Sequence, residues 1–227
     1  SWGESTWGTP RAESSTDVSL ENSSWNLNLW GEDLIASVRN GAIYYWDTSS
    51  GTGNRASLVS AIADASGVPN VVRTTIISFP DRHFIAGGCQ EYASDGNGSV
   101  DPMLVRWSNQ EDFTVFTPTA LNTAGDQRLQ IGTKIVTMVS SREETIISTD
   151  EAIYGMTFVG APFIFSFRLL GTNAGAAGLN TMINIDGNVF WMGRRNFFSY
   201  DGVVKELVCP VQYYVFDRMQ TDMIDKT

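Results

Sequence analysis

Val189–Gly202 reads VFWMGRRNFFSYDG. An apolar run reaches a polar turn at Arg194-Arg195-Asn196, a second aromatic run follows, and Asp201-Gly202 closes the unit. Aromatic and β-branched residues suit a pleated, half-buried surface, and Asp-Gly suits the turn after it, so this stretch predicts a β-hairpin. Looser copies lie upstream. Leu34–Asp47 reads LIASVRNGAIYYWD and Thr145–Met156 reads TIISTDEAIYGM. Each is a strand-like run, a short polar turn and an aromatic or Ile-Tyr strand.

Repetition of this unit sets the architecture. With the second strands of the units aligned, Trp46, Trp107, Met156 and Tyr200 fall in register, at separations of 61, 49 and 44. Spacing near 45 fits a four-stranded propeller blade. The first interval is lengthened by a predicted helix and by the polar insertion Gln90–Asp101 (QEYASDGNGSVD). The chain is therefore expected to be all-β, a β-propeller or partial propeller of antiparallel blades, with one short helix between the first blades. The competing architecture is a β-sandwich, whose strands recur at similar intervals.

Outward from the hairpins, Trp25–Trp30 alternates Trp25, Leu27 and Leu29 with Asn26 and Asn28, the period of a half-buried strand. Asn40-Gly41 is a strong hairpin turn. Asn54 is a good helix N-cap, with Leu58, Val59 and Ile62 clustering behind it and Ser66-Gly67 and Pro69 ending the run. Val71–Ser78 turns at Pro80-Asp81-Arg82 into Phe84–Ala86, and Met103–Trp107 and Thr114–Phe116 read as further strands. Leu129–Ile131, Lys134–Val139 and the hairpin of Thr145–Met156 form the third unit. Phe163–Leu170 reads as a buried strand, Gly171–Gly178 as a small-residue loop, and Thr181–Ile185 as a strand reaching Asp186-Gly187. Three regions result: an N-terminal docking arm over 1–24, blades over 25–208, and a connection over 209–227 toward a further region.

Bulk composition narrows the function. Among 227 residues, 42% are hydrophobic and 18% charged, enough for a sizeable core. Seven Trp, seven Tyr and twelve Phe suit sheet faces. The formal charge is −10, from 15 basic and 25 acidic residues, which opposes gripping nucleic acid, where clustered cations must displace counterions. No apolar run approaches the roughly 20 residues needed to span a bilayer. Cys89 and Cys209 have no metal-ligand spacing and read as two free thiols, with a disulfide as the alternative.

Residues that could carry chemistry read as structural. His83, the sole histidine, is expected in a surface turn. Asp95, Asn97, Ser99 and Asp101 resemble the start of a calcium loop, but Val100 and Arg106 stand where Gly and Glu are needed. Gly171, Gly175 and Gly178 lead into Leu179-Asn180, which is no phosphate-cradling loop. Asp81, Asp112, Glu143, Glu144 and Asp150 could include a glycosidase pair across a propeller face, though turn positions account for most of them. Arg106–Asp112 (RWSNQED) resembles the Asp-box turn of sialidase propellers without its Asp-x-Gly core. No catalytic, cofactor or metal residue is assigned.

Four segments together carry a resemblance: Ser78–Gly88 (SFPDRHFIAGG), Asp101–Gly125 (DPMLVRWSNQEDFTVFTPTALNTAG), Ser148–Phe167 (STDEAIYGMTFVGAPFIFSF) and Phe190–Asp217 (FWMGRRNFFSYDGVVKELVCPVQYYVFD). They resemble the tail nozzle or hub proteins of tailed bacteriophages, also described as packaged-DNA stabilisation proteins. The repeat Trp2-Gly3, Trp7-Gly8 running into Thr9-Pro10-Arg11 fits the same pattern. The resemblance implies a non-enzymatic virion component in the phage tail, with a β-propeller in each subunit. It implies a homo-oligomeric ring, a hexamer in the family, that retains packaged DNA and passes it during ejection. Portal-proximal adaptor proteins and tail fibre, spike or needle proteins are the implied partners. The alternative is a carbohydrate-binding or glycan-cleaving propeller for host attachment, with Trp2 and Trp7 stacking on sugar rings.

Overall fold

In the computed structural model, which describes residues 24–79 and 81–219, sixteen strands pair into four four-stranded antiparallel sheets, each a meander in chain order. The first blade is β1 (Trp25–Trp30), β2 (Asp33–Val38), β3 (Ile43–Trp46) and β4 (Ser57–Leu58). The second is β5 (Thr74–Ile77), β6 (Phe84–Gln90), β7 (Val100–Trp107) and β8 (Gly125–Arg128). The third is β9 (Ile135–Ser140), β10 (Thr145–Thr149), β11 (Ala152–Gly160) and β12 (Ile164–Thr172). The fourth is β13 (Met182–Ile185), β14 (Asn188–Met192), β15 (Phe197–Tyr200) and β16 (Val204–Leu207), followed by the helix α1 (Gln212–Arg218).

The sequence register holds. Trp46, Trp107, Met156 and Tyr200 all lie on the third strand of their blades. Local chemistry explains the turns: Asn40 sits at φ 56° between β2 and β3, and Asp186 and Gly187, at φ 51° and 84°, join β13 to β14. Two consecutive left-handed residues match the twist of a tight hairpin.

Blades meet through their first strands, β1 on β5, β5 on β9 and β9 on β13; among the described residues no comparable packing joins β13 to β1. The array is thus an open arc of a propeller. Three apolar clusters fill its three seams. Ile35, Ile43, Phe84, Ala86 and Phe116 lie between the first two blades. Ile85, Val105, Ile135, Ile147 and Met156 lie between the second and third. Ile146, Ile153, Val189, Trp191 and Phe198 lie between the third and fourth. Because side chains alternate across a strand, Phe84 and Ala86 enter one seam and Ile85 the next. Both faces of β6 and β10 are buried, so β6 is apolar from Phe84 to Cys89, while β10 combines Ile146 and Ile147 with the buried hydroxyls of Thr145, Ser148 and Thr149.

Several sequence expectations need correction. The helix expected after Asn54 is a single 3-10 turn, Val59–Ala61. Leu58 is extended, without a side-chain cap, and pairs with Tyr44 in the sheet, so the Leu-Val pair obeys a period of two. Asn54 instead donates from Nδ2 to the Ser50 carbonyl, 2.6 Å. The strand expected at Phe163–Leu170 is outer β12, largely uncovered, with Phe163 exposed and Phe165 buried. Leu129–Ile131 is no strand; the edge strand lies just before it, at β8. Thr114–Phe116 contributes one isolated parallel bridge, Ser66 to Val115.

Candidate functional site

The polar cluster with most chemical potential is the cleft at the seam of the third and fourth blades, about 340 Å³ and lined in part by Arg142, Glu144, Arg168, Tyr200 and Asp201. The β9–β10 turn presents Glu144, β12 presents Arg168, and β15 ends on Tyr200. Tyr200 donates a short hydrogen bond to Glu144 Oε1, and Arg168 Nη2 lies 3.2 Å from Tyr200 Oη and 3.5 Å from Glu144 Oε2. Burial, then the Glu144 carboxylate, push the Tyr200 phenol up to about 12. The phenol therefore stays protonated at neutral pH and works as a clamp between blades. Arg142 Nη2 adds a bond to the Asp186 carbonyl at 2.8 Å, and Asp201 is occupied by Lys205 Nζ at 2.7 Å. Of the five carboxylates that could include a glycosidase pair, Glu143 and Glu144 line this cleft. Asp81, Asp112 and Asp150 lie elsewhere.

His83 is not on the surface. It is fully buried, with Nδ1 2.6 Å from Asp81 Oδ2 and Nε2 3.0 Å from Thr123 Oγ1. The order carboxylate, imidazole, hydroxyl has the layout of a nucleophile triad. The surroundings assign it to structure. Thr123 Oγ1 also accepts from the Gln110 amide and bonds Asn109 Oδ1, while Phe158 and Phe165 pack on the imidazole. Burial works to raise the Asp81 pKa, but hydrogen bonds from His83 and Ser78 outweigh it and hold the carboxyl below its ordinary value. The local sequence PDRHF looked like a turn; the third blade, remote in sequence, covers it.

The remaining candidates disperse. Asp95 accepts from the Asn97 amide, Ser99 donates to Glu91, and Asp101 pairs with Arg128 Nε at 2.6 Å, so the four residues do not converge on an ion. Among the described residues no group of three or more His, Cys, Asp or Glu could hold a metal. Asp112 accepts from Thr114, and Asp150 from Thr133 and Lys134. Ala174 and Ala176 of the small-residue loop are buried against the third and fourth blades. Cys89 and Cys209 are free thiols, the former buried and pushed up to about 12 by that burial. Trp2 and Trp7 lie outside the described residues.

Sequence reading met Arg106 only as a mismatch to a calcium loop and as the start of the Asp-box-like segment, and gave it no structural role. Its side chain is almost wholly buried and donates to the carbonyls of Gln90 (3.0 Å), Gly67 (2.7 Å) and Phe116 (3.2 Å). The signal was present: a lone cation inside the apolar run Met103–Trp107 must find internal acceptors.

No family model matches the sequence, and no curated protein is significantly similar to it. Solved structures share a loose likeness, two designed proteins among them. The computationally designed Ika4 protein is 16% identical over 82% of this chain and 91% of its own, with a TM-score of 0.44. The computationally designed Ika8 protein is 13% identical over 77% of this chain and 44% of its own, with a TM-score of 0.45. The blade architecture rests on the strand pairing itself.

Proposed function

We propose that this chain is a structural component of a phage tail nozzle or hub, part of a ring-shaped conduit that retains packaged DNA and passes it at ejection. The observation that carries the reading is how the arc uses its polar groups: they are turned toward one another across the seams. Asn28 and Ser37 bond Thr75 between the first two blades; Ser140 with Asn184, and Glu144 with Tyr200, join the third to the fourth. Such chemistry holds blades in place, as a mechanical part requires. The segments that resemble the nozzle family fall on the second, third and fourth blades, and the −10 charge suits a wall that does not retain a polyphosphate.

Titration with duplex DNA at low salt tests the reading, alongside a glycan panel scored for binding and hydrolysis. The expected result is no saturable DNA binding and no glycan turnover. Tight saturable DNA binding, or hydrolysis abolished by Glu144→Gln, would replace the conduit with a binding or cleaving propeller.

A further inference from the structure

At the two ends of the arc, β1 and β13 each turn a row of apolar side chains outward. On β1 the alternation is inverted relative to a soluble edge. Asn26 and Asn28 point inward to Thr75 of β5, while Trp25, Leu27 and Leu29 are 58%, 62% and 71% exposed. Strand register extends that outer face. Trp25 pairs with Val38, Leu27 with Ala36, Leu29 with Leu34, then Leu34 with Trp46, Ala36 with Tyr44, and Tyr44 with Leu58. All nine side chains on it are apolar. At the opposite end Asn184 and Met182 turn inward to the third blade, leaving Ile183 and Ile185 at 58% and 52% exposure on β13. Their face continues through Phe190, opposite Ile183, and Met192, opposite Phe197, with Asn188 opposite Ile185 and with Ser199 and Lys205 farther out toward β16. Phe216 of α1 packs on Phe197 at 5.2 Å, so the helix caps the outer rim and leaves the β13 side open.

These faces lie on the strands that make every internal seam, since β1, β5, β9 and β13 are the joining strands. A single chain thus carries both halves of a blade-to-blade junction, one at each end. Propellers close with about 4 to 8 blades. Four blades that do not close on themselves complete a ring at the upper end of that range when two copies meet.

We propose that two copies of this chain join head to tail, the β13 face of each seated on the β1 face of the other, to close one eight-bladed propeller. The recognition is apolar, with the β1 face presenting no charge to be matched, and the two-fold arrangement makes both junctions identical. It does not rest on the nozzle reading.

Light scattering on the full chain, with Leu27→Asp and Ile183→Lys variants, tests the proposal. Both positions are exposed, so the variants fold, which circular dichroism checks. The expected wild-type mass is twice the 24.9 kDa chain. Each variant alone should be a monomer, and an equimolar mixture should recover dimer, because one intact junction remains. Wild type that stays monomeric overturns the proposal. So does dimer formed by Ile183→Lys alone, which would mean β1 faces pairing with each other. A wild-type monomer that dimerises once residues 1–23 are removed also overturns it, by assigning the β1 face to that segment.

Discussion

Arg106 shows what a single side chain does for this fold. A buried guanidinium keeps its charge only if donors find acceptors, and burial does lower its pKa here, without removing the proton. Its three carbonyl partners belong to the end of β6, to Gly67 and to Phe116, so one residue ties the end of a blade strand to two loop segments. Arg106→Met should cost about 3 kcal/mol or more in urea denaturation, since buried carbonyls left without donors each cost about 1–3 kcal/mol. Arg106→Lys should recover only part, because a single compact ammonium cannot span carbonyls that the guanidinium reaches from two separate nitrogens. Tyr45 and Tyr200 give a second measurable consequence. A hydrogen bond to Asp33 at 2.6 Å, followed by burial, pushes the Tyr45 phenol up to about 12, as burial and then Glu144 do for Tyr200. The folded state therefore holds both protons more tightly than the unfolded chain, whose phenols titrate near about 10. That stability is fully present below about pH 10 and is lost as pH rises toward 12. Tyrosinate absorbance should show these two phenols ionising after the ordinary ones. Glu144→Gln should bring Tyr200 partway down, with burial holding the rest of the shift.

At the scale of strands and seams, polar pairs set the register of blade on blade. Thr75 Oγ1 meets Asn28 Nδ2 at 3.0 Å, Ser37 Oγ at 2.8 Å and Asn26 Oδ1 at 2.9 Å. Thr75→Val keeps the shape and removes the hydroxyl, so it should destabilise by about 1–3 kcal/mol in chemical denaturation. A loss below about 0.3 kcal/mol would mean water replaces the network. Gly87 makes the complementary point about space. A Cβ there would lie 3.2 Å from Met138 Sδ and 3.3 Å from Ile135 Cγ2, across the seam of the second and third blades. Gly87→Val should cost about 1–3 kcal/mol by overpacking. The central hairpins were legible because Asn-Gly, Asp-Gly and aromatic runs are local signals. The outer strands β4, β8 and β16 were not: Ser57–Leu58, Gly125–Arg128 and Val204–Leu207 are short and mostly uncovered, so no alternation marks them. The 3-10 turn at Val59 was misread because a strand-ending Leu-Val pair and one helical turn share the same few letters. The Glu144–Tyr200 clamp, 56 positions apart, and the burial of His83 arise from blade packing, which no window of sequence contains.

For the whole molecule, serial connection decides where stability lies. Among the described residues each blade packs chiefly on its neighbours, so the arc behaves as a short stack whose middle members have two seams and whose ends have one. The second and third blades hold β6 and β10, buried on both faces, whereas β1 and β13 keep one face uncovered. Opening an end blade gives up one seam; opening a middle blade gives up two. Local opening should therefore cost least at the ends and approach the global unfolding energy in the middle. Amide hydrogen exchange on dilute protein should rank protection accordingly, with β6 and β10 slowest and β4 and β16 fastest. Raising the concentration then separates two physical situations. If the free faces meet a second copy, β1 and β13 gain protection together while β6 and β10 barely change, because only the end blades acquire a seam. If the arc stays single, all strands exchange at rates independent of concentration. Protection that is uniform across the four blades would show that they unfold as one unit, contrary to the serial packing that the seams describe.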